Sequence, residues 1–291
     1  MGSVFTTIVL PAALVVIMLG LGLGLTRSDF ERIGKHPTVS IVALGCQILL
    51  LPAICFGLVL VFALPPELAV GMMLLAAAPG GTTANLVSHV FRGDVALNIS
   101  LTAVNSVLSL LTLPIVVNLS VTYFGASTDR MGTQFDTALD VFLIVLLPVI
   151  VGMLLRSWRP AWADRMARPV RVASLVILVV VLVGAIASNW DLLTSEFGRL
   201  SGITVLFCLI SLSVGFFVPR LFGAPQRQAI ATSFEIGIHN ATLAIVVAQT
   251  VLDSVPLSLP AAVYGVLMLP LALAFGLLIR ERSTVRPAQT S

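Results

Sequence analysis

Ser233-Phe234-Glu235-Ile236-Gly237-Ile238-His239-Asn240-Ala241-Thr242 is the stretch on which the reading of this chain turns. It lies inside an apolar segment from about Gln228 to Leu252, long enough to cross a bilayer, in which Glu235 is the sole carboxylate. A charge at that depth costs roughly 3 kcal/mol on insertion scales unless the protein gives it a partner. Gly237, then His239 and Asn240, allow the helix to loosen and turn backbone carbonyls inward. A carboxylate, an amide, an imidazole and free carbonyls form the donor set of a cation site. The simpler explanation is a protonated Glu235 bonded to a neighbouring helix. Ionisable groups inside membranes are functional by default, and that favours the cation reading.

The composition agrees with a membrane setting. The chain has 291 residues, 58% hydrophobic and only 10% charged, with a mean hydropathy of +1.09. That balance excludes an ordinary soluble domain and predicts an all-α polytopic membrane protein. Cys46, Cys55 and Cys208 sit in apolar runs without paired spacing, so they read as small buried hydrophobes rather than a disulfide or zinc framework. The first apolar run lacks the basic flank of a cleaved signal peptide and is expected to remain as a span. Fifteen arginines against one lysine, Lys35, hint at a GC-rich bacterial source.

Hydrophobic runs separated by short polar breaks predict about nine transmembrane helices. They fall near 4–25, 38–62, 68–90, 95–119, 137–155, 172–188, 202–218, 228–252 and 259–279. Counting gaps alternately places fourteen of the sixteen basic residues on one side, leaving Arg130 and Arg199 on the other. The positive-inside rule makes the rich side cytoplasmic. The N-terminus is then outside and the C-terminus cytoplasmic, in a bacterial inner (cell) membrane.

The third span contains Ala78-Pro79-Gly80-Gly81-Thr82-Thr83-Ala84-Asn85. Pro79 removes a backbone donor and two glycines relax the dihedral limits, so the helix is expected to break there. Thr82, Thr83 and Asn85 would open a second half-helix with free N–H groups at its start. A simple proline kink is the alternative, but two glycines followed by polar residues go beyond it. In the fourth span Asn98, Thr102, Asn105 and Ser109 follow i, i+4, i+7, i+11 spacing and form one polar stripe. Helix–helix hydrogen bonding alone would account for much of it. Two interrupted segments, one in each half of the chain, point to an inverted-repeat secondary transporter with its site at the repeat interface. The halves are unequal, with four spans before the long outside loop near 120–136 and five after it.

No Walker A pattern, no His-Glu-x-x-His and no aspartate pair within a span occur, so the chain is not expected to be an enzyme. His36 lies in a loop and His89 near a helix end. A proton-coupled or efflux carrier, and a membrane sensor that holds a ligand without moving it, stay open as alternatives. Nucleic-acid binding and an obligate protein partner have no support in the pattern.

At these motifs the sequence resembles the bile acid:sodium symporter family, in its bacterial branch. The resemblance covers nearly the whole chain: Leu25-Thr26-Arg27-Ser28-Asp29-Phe30, His36-Pro37, Gln47 with Pro52, and the stretch 65–68. Its most specific parts are Pro79-Gly80-Gly81-Thr82 through Asn85, Arg92-Gly93-Asp94-Val95-Ala96-Leu97, and Glu235-Ile236-Gly237. Members often have ten spans in two five-helix inverted repeats, and here the first helix is expected to be absent. The resemblance implies a core (about 38–119 and 202–279) with two crossed, discontinuous helices, and a panel (about 4–25 and 137–188). It also implies sodium-coupled import of a small organic anion by alternating access, the anion being bile-acid-like or a short carboxylate such as pantoate or a keto acid. One sodium would be held by Asn85, Asn98, Thr102 and Glu235. A second would use Gln47, Glu235, the carbonyls of Ile236 and Ile238, and His239. The anion would meet Thr82, Thr83 and Asn240.

The sequence departs from the family pattern in places. Ala84 and Asn98 stand at usual serines, and His239 at a usual glutamine, where a ring nitrogen replaces an amide oxygen. Met268-Leu269 fall near a familiar His-Asn pair. These changes suggest a His239–Glu235 pair, with one sodium or a proton doing the coupling.

Overall fold

The computed structural model describes residues 10–24, 26, 31–125, 147–188 and 190–280. Their regular structure is helical: α1 Leu10–Gly24, α2 Pro37–Phe62, α3 Pro66–Ala77, α4 Thr82–Val90, α5 Val95–Phe124, α6 Leu147–Trp158, α7 Pro160–Ser188, α8 Trp190–Leu221, α9 Gln226–Gly237, α10 Ala241–Thr250 and α11 Leu259–Ile279. Among the described residues α2, the stretch Leu193–Leu221 of α8, and the stretch Pro256–Ile279 ending in α11 are each long and apolar enough to cross a bilayer. The two parts of α5 together make a fourth. The first and fifth expected spans lie partly outside the described residues.

The distribution of side chains is that of a protein in lipid. Leu49, Val61, Leu86, Leu119 and Leu278 are exposed, while Glu235, Asn98, Thr102, Asn105 and His239 are buried. Hydrocarbon is an acceptable solvent for the first group and a poor one for the second. The chain is therefore a polytopic membrane protein.

Each irregularity has a local cause. Pro52 has no N–H to offer the carbonyl of Ile48, and α2 widens into a π-turn over Cys46–Leu50, with the Leu51 N–H reaching back to the Cys46 carbonyl. Gln47 sits in that turn. Pro114 likewise has no N–H to offer the carbonyl of Leu110, and α5 bends by 52° between its 95–109 and 111–124 parts. α3 stops at Ala77 and α9 at Gly237, where the breaks were expected. α7 and α8 start well before the expected spans, at Pro160 and Trp190. Hydropathy locates only the apolar part of a helix, and the helices continue through polar sequence at both of these starts.

Small residues let the helices approach closely. A side chain on Gly22 would meet the Val149 carbonyl at 2.2 Å, and one on Gly152 the Leu19 carbonyl at 2.6 Å, so α1 and α6 touch backbone to backbone. Arg156 then donates to the Leu23 carbonyl (2.7 Å) and pairs with Asp164 (3.2 Å). α9 lies against α8 in the same manner. Thr232 donates to the Gly215 carbonyl (2.7 Å) and Ser233 to that of Leu212 (2.8 Å). The turn between α4 and α5 also explains its motif. Gly93 has no room for a side chain beside Ser88 and Ile230, and Asp94 caps α5 by accepting from the Leu97 N–H (3.1 Å).

Candidate cation site

The two breaks meet. Gly80 and His239 form an isolated antiparallel bridge, and the Asn240 N–H donates to the Pro79 carbonyl (3.0 Å). The His239 ring completes the junction: Nδ1 donates to the Ala78 carbonyl (3.0 Å), and the ring stacks on Phe207 with centroids 5.1 Å apart. Backbone that would otherwise face lipid unpaired is thus satisfied by the opposite break. The Tyr264 hydroxyl donates to the carbonyl of Gly237, the last helical residue of α9 (2.7 Å). Tyr264→Phe is expected to cost about 1 kcal/mol by leaving that buried carbonyl short of a donor. A thermal unfolding curve in detergent, indistinguishable from that of the unmodified protein, would refute this.

Glu235 lies in the last turn of α9 and is fully buried. Its Oε2 accepts from the Thr102 hydroxyl (2.5 Å) and its Oε1 from the Asn105 amide (3.3 Å). Gly80 covers the other side, so closely that a side chain there would lie 3.0 Å from the Glu235 carboxyl carbon. One turn earlier, Asn98 donates to the Ala231 carbonyl (2.7 Å). The polar stripe of α5 therefore faces α9: Thr102 meets Glu235 itself, and Asn98 meets the backbone one turn before it.

Gln47 donates to the Ala76 carbonyl (3.3 Å), next to the break after α3. It lines a cavity of about 10 Å³ with Pro79, Asn105, Ser109 and Thr112. Asn85 is on α4, and its amide oxygen is buried. Ile236 and Ile238 are buried on either side of Gly237. Thr83 is half-buried in the first turn of α4, and Asn240 caps α10 by accepting from the Leu243 N–H (3.0 Å). Thr82 opens α4, but its side chain lies outside the described residues. The suggested His239–Glu235 pair is not formed. The ring uses Nδ1 on Ala78, its Nε2 has no partner, and Glu235 is held by α5 instead.

The site holds an unusual set of unused acceptors. The amide oxygens of Gln47, Asn85, Asn98 and Asn105 are buried without a hydrogen-bond partner. For Gln47, Asn98 and Asn105 the amide nitrogen is engaged with an acceptor, which fixes the oxygen on the other side. Each such oxygen costs about 1–3 kcal/mol if nothing binds it. Hard cations take oxygen ligands, so the donor set fits one. Asn105 is the contact that motif reading missed. Its place in the α5 stripe, one turn beyond Thr102, was the available signal.

A model of the Sodium Bile acid symporter family matches residues 11–196. The "Uncharacterized sodium-dependent transporter YocS" of Bacillus subtilis (strain 168) is 26% identical over 254 residues, 86% of this chain and 76% of that protein. A "Probable sodium/metabolite cotransporter", chloroplastic, of Oryza sativa subsp. japonica is 25% identical over 252 residues, 87% of this chain and 59% of the relative. The "Ileal sodium/bile acid cotransporter" of Homo sapiens is 26% identical over 250 residues, 85% of this chain and 70% of the relative. The chain thus spans between about three fifths and three quarters of these relatives, and they are named as transporters rather than enzymes. With a matched region covering well over half its length, the chain belongs to the Sodium Bile acid symporter family, a family of sodium-dependent transporters.

Proposed function

We propose that this chain is a secondary active transporter that imports a small organic anion with sodium. The observation that carries this reading is a buried carboxylate, Glu235, set among amide oxygens that lack hydrogen-bond partners. One sodium is held by Asn85, Asn98, Thr102 and Glu235. A second is held by Gln47, Glu235 and the carbonyls of Ile236 and Ile238, with His239 beside it. The anion, bile-acid-like or a short carboxylate such as pantoate or a keto acid, meets the starts of α4 and α10 at Thr82, Thr83 and Asn240. Support for this comes from Gly81, which precedes α4 and has no side chain to cap it, so an anion can use the partial positive charge there.

The core at about 38–119 and 202–279 rocks against the panel at about 4–25 and 137–188. About nine spans, the broken pair α3/α4 and α9/α10 in an inverted repeat, lie in a bacterial inner membrane with the C-terminus cytoplasmic. Tracer uptake into proteoliposomes tests the coupling, after a thermal-shift screen of organic anions with and without sodium has chosen the substrate. Accumulation against a concentration gradient is expected with an inward sodium gradient and not with choline. Binding without accumulation would make the chain a sensor.

One contact favours a second reading, coupling to protons. The Thr102 hydroxyl lies within reach of both Glu235 (2.5 Å) and the Asn98 carbonyl (3.0 Å), yet has one hydrogen. A protonated Glu235 that donates to Thr102 would satisfy both contacts. Uptake driven by a pH gradient at equal sodium on both sides would select this version.

A further inference from the structure

Asn105 is only 2% exposed, and its amide nitrogen lies 3.3 Å from Glu235 Oε1. Its oxygen is buried and has no partner. It lines the same cavity as Gln47, whose oxygen is also unpartnered. The His239 ring, by contrast, is occupied: it is bonded to Ala78, stacked on Phe207 and set edge-on to Tyr264 at 5.5 Å. Turning that ring toward Glu235 would break three contacts, and it would bring a nitrogen where a hard cation takes oxygen.

We infer that Asn105 is a cation ligand that completes the shell around Glu235 and Gln47. Without a cation, its N–H₂ end holds the carboxylate. With one, the amide turns about its Cβ–Cγ bond and presents Oδ1. An amide can serve both states because it carries a donor and an acceptor on one rotor. A hydroxyl or an aliphatic side chain at this position could not make that exchange at the same reach. The inference rests on the sodium reading proposed above and adds the residue that switches between the empty and loaded site.

The test is thermal unfolding of the purified protein in detergent, titrated with sodium chloride at constant ionic strength against choline chloride. Asn105→Leu, close to isosteric, is expected to unfold within about 2 °C of the unmodified protein without sodium. Its half-maximal sodium concentration should rise tenfold or more, a loss of about 1.4 kcal/mol of sodium affinity. Asn105→Asp keeps an oxygen at the position and adds a negative charge beside the cation, so its sodium midpoint is expected to be no weaker than that of the unmodified protein. If Asn105→Leu does not purify, Asn105→Ala carries the same tenfold expectation. An unchanged midpoint in the Leu or Ala variant, or a midpoint in Asn105→Asp as weak as in Asn105→Leu, overturns the role of Asn105 and leaves the sodium reading standing. No sodium-dependent stabilisation in the unmodified protein overturns the sodium reading itself.

Discussion

Glu235→Ala is expected to abolish sodium-driven accumulation while leaving a folded protein in detergent. The carboxylate is the sole acidic group in its segment and is wholly buried. Two unit charges 4 Å apart attract by about 4 kcal/mol at an effective dielectric near 20, which is about a thousandfold in sodium affinity. The fold should survive because the acid is a liability to it: burial of a charge costs energy, and removing it relieves that cost. Glu235→Gln is the sharper variant. Its amide oxygen can accept from Thr102, and Asn105 can turn its unpartnered oxygen toward the new amide nitrogen. Uptake by Glu235→Gln under a sodium gradient, at a rate within tenfold of the unmodified protein, would remove the basis of the assignment.

Gly80→Ala is expected to damage both stability and sodium response. An alanine side chain would stand 2.5 Å from the Glu235 carbonyl oxygen and 3.1 Å from Oε1. The nearer atom is backbone, so the two breaks must move apart, weakening the Gly80–His239 bridge. Overpacking of this kind costs about 1–3 kcal/mol. Moving the carboxylate by a few tenths of an ångström also spoils ligand geometry, since a binding shell works only within about 0.5 Å of its best arrangement. We expect a lowered melting temperature and at least a tenfold weaker sodium midpoint. Gly57→Ala in α2 is the control, because nothing lies within 4 Å of the added carbon and alanine favours the helix. Equal behaviour of the two variants would show that the close approach at Gly80 has no functional weight.

Much of the architecture was legible in one dimension because lipid imposes strict rules. A segment such as 228–252 must be apolar to cross, and Pro79-Gly80-Gly81 cannot continue a helix. Helix ends were less legible. α7 begins at Pro160 rather than near 172, since hydropathy is silent about a helix outside the apolar layer. The π-turn at Cys46–Leu50 was equally hidden, although Pro52 is its cause.

Residue order by itself determined that the chain is a helical membrane protein, that two of its apolar segments are interrupted, and that the second of them carries Glu235 beside its break. Tertiary structure alone decided which groups Glu235 meets: Thr102 and Asn105 across 133 and 130 positions of sequence, and not His239 four residues away. The physical reason is that membrane depth and helix breaks are local properties of a segment, readable from its own side chains. The partner of a buried polar group depends on which helix faces it and at what rotation, and that is settled only when the breaks at Gly80 and His239 dock.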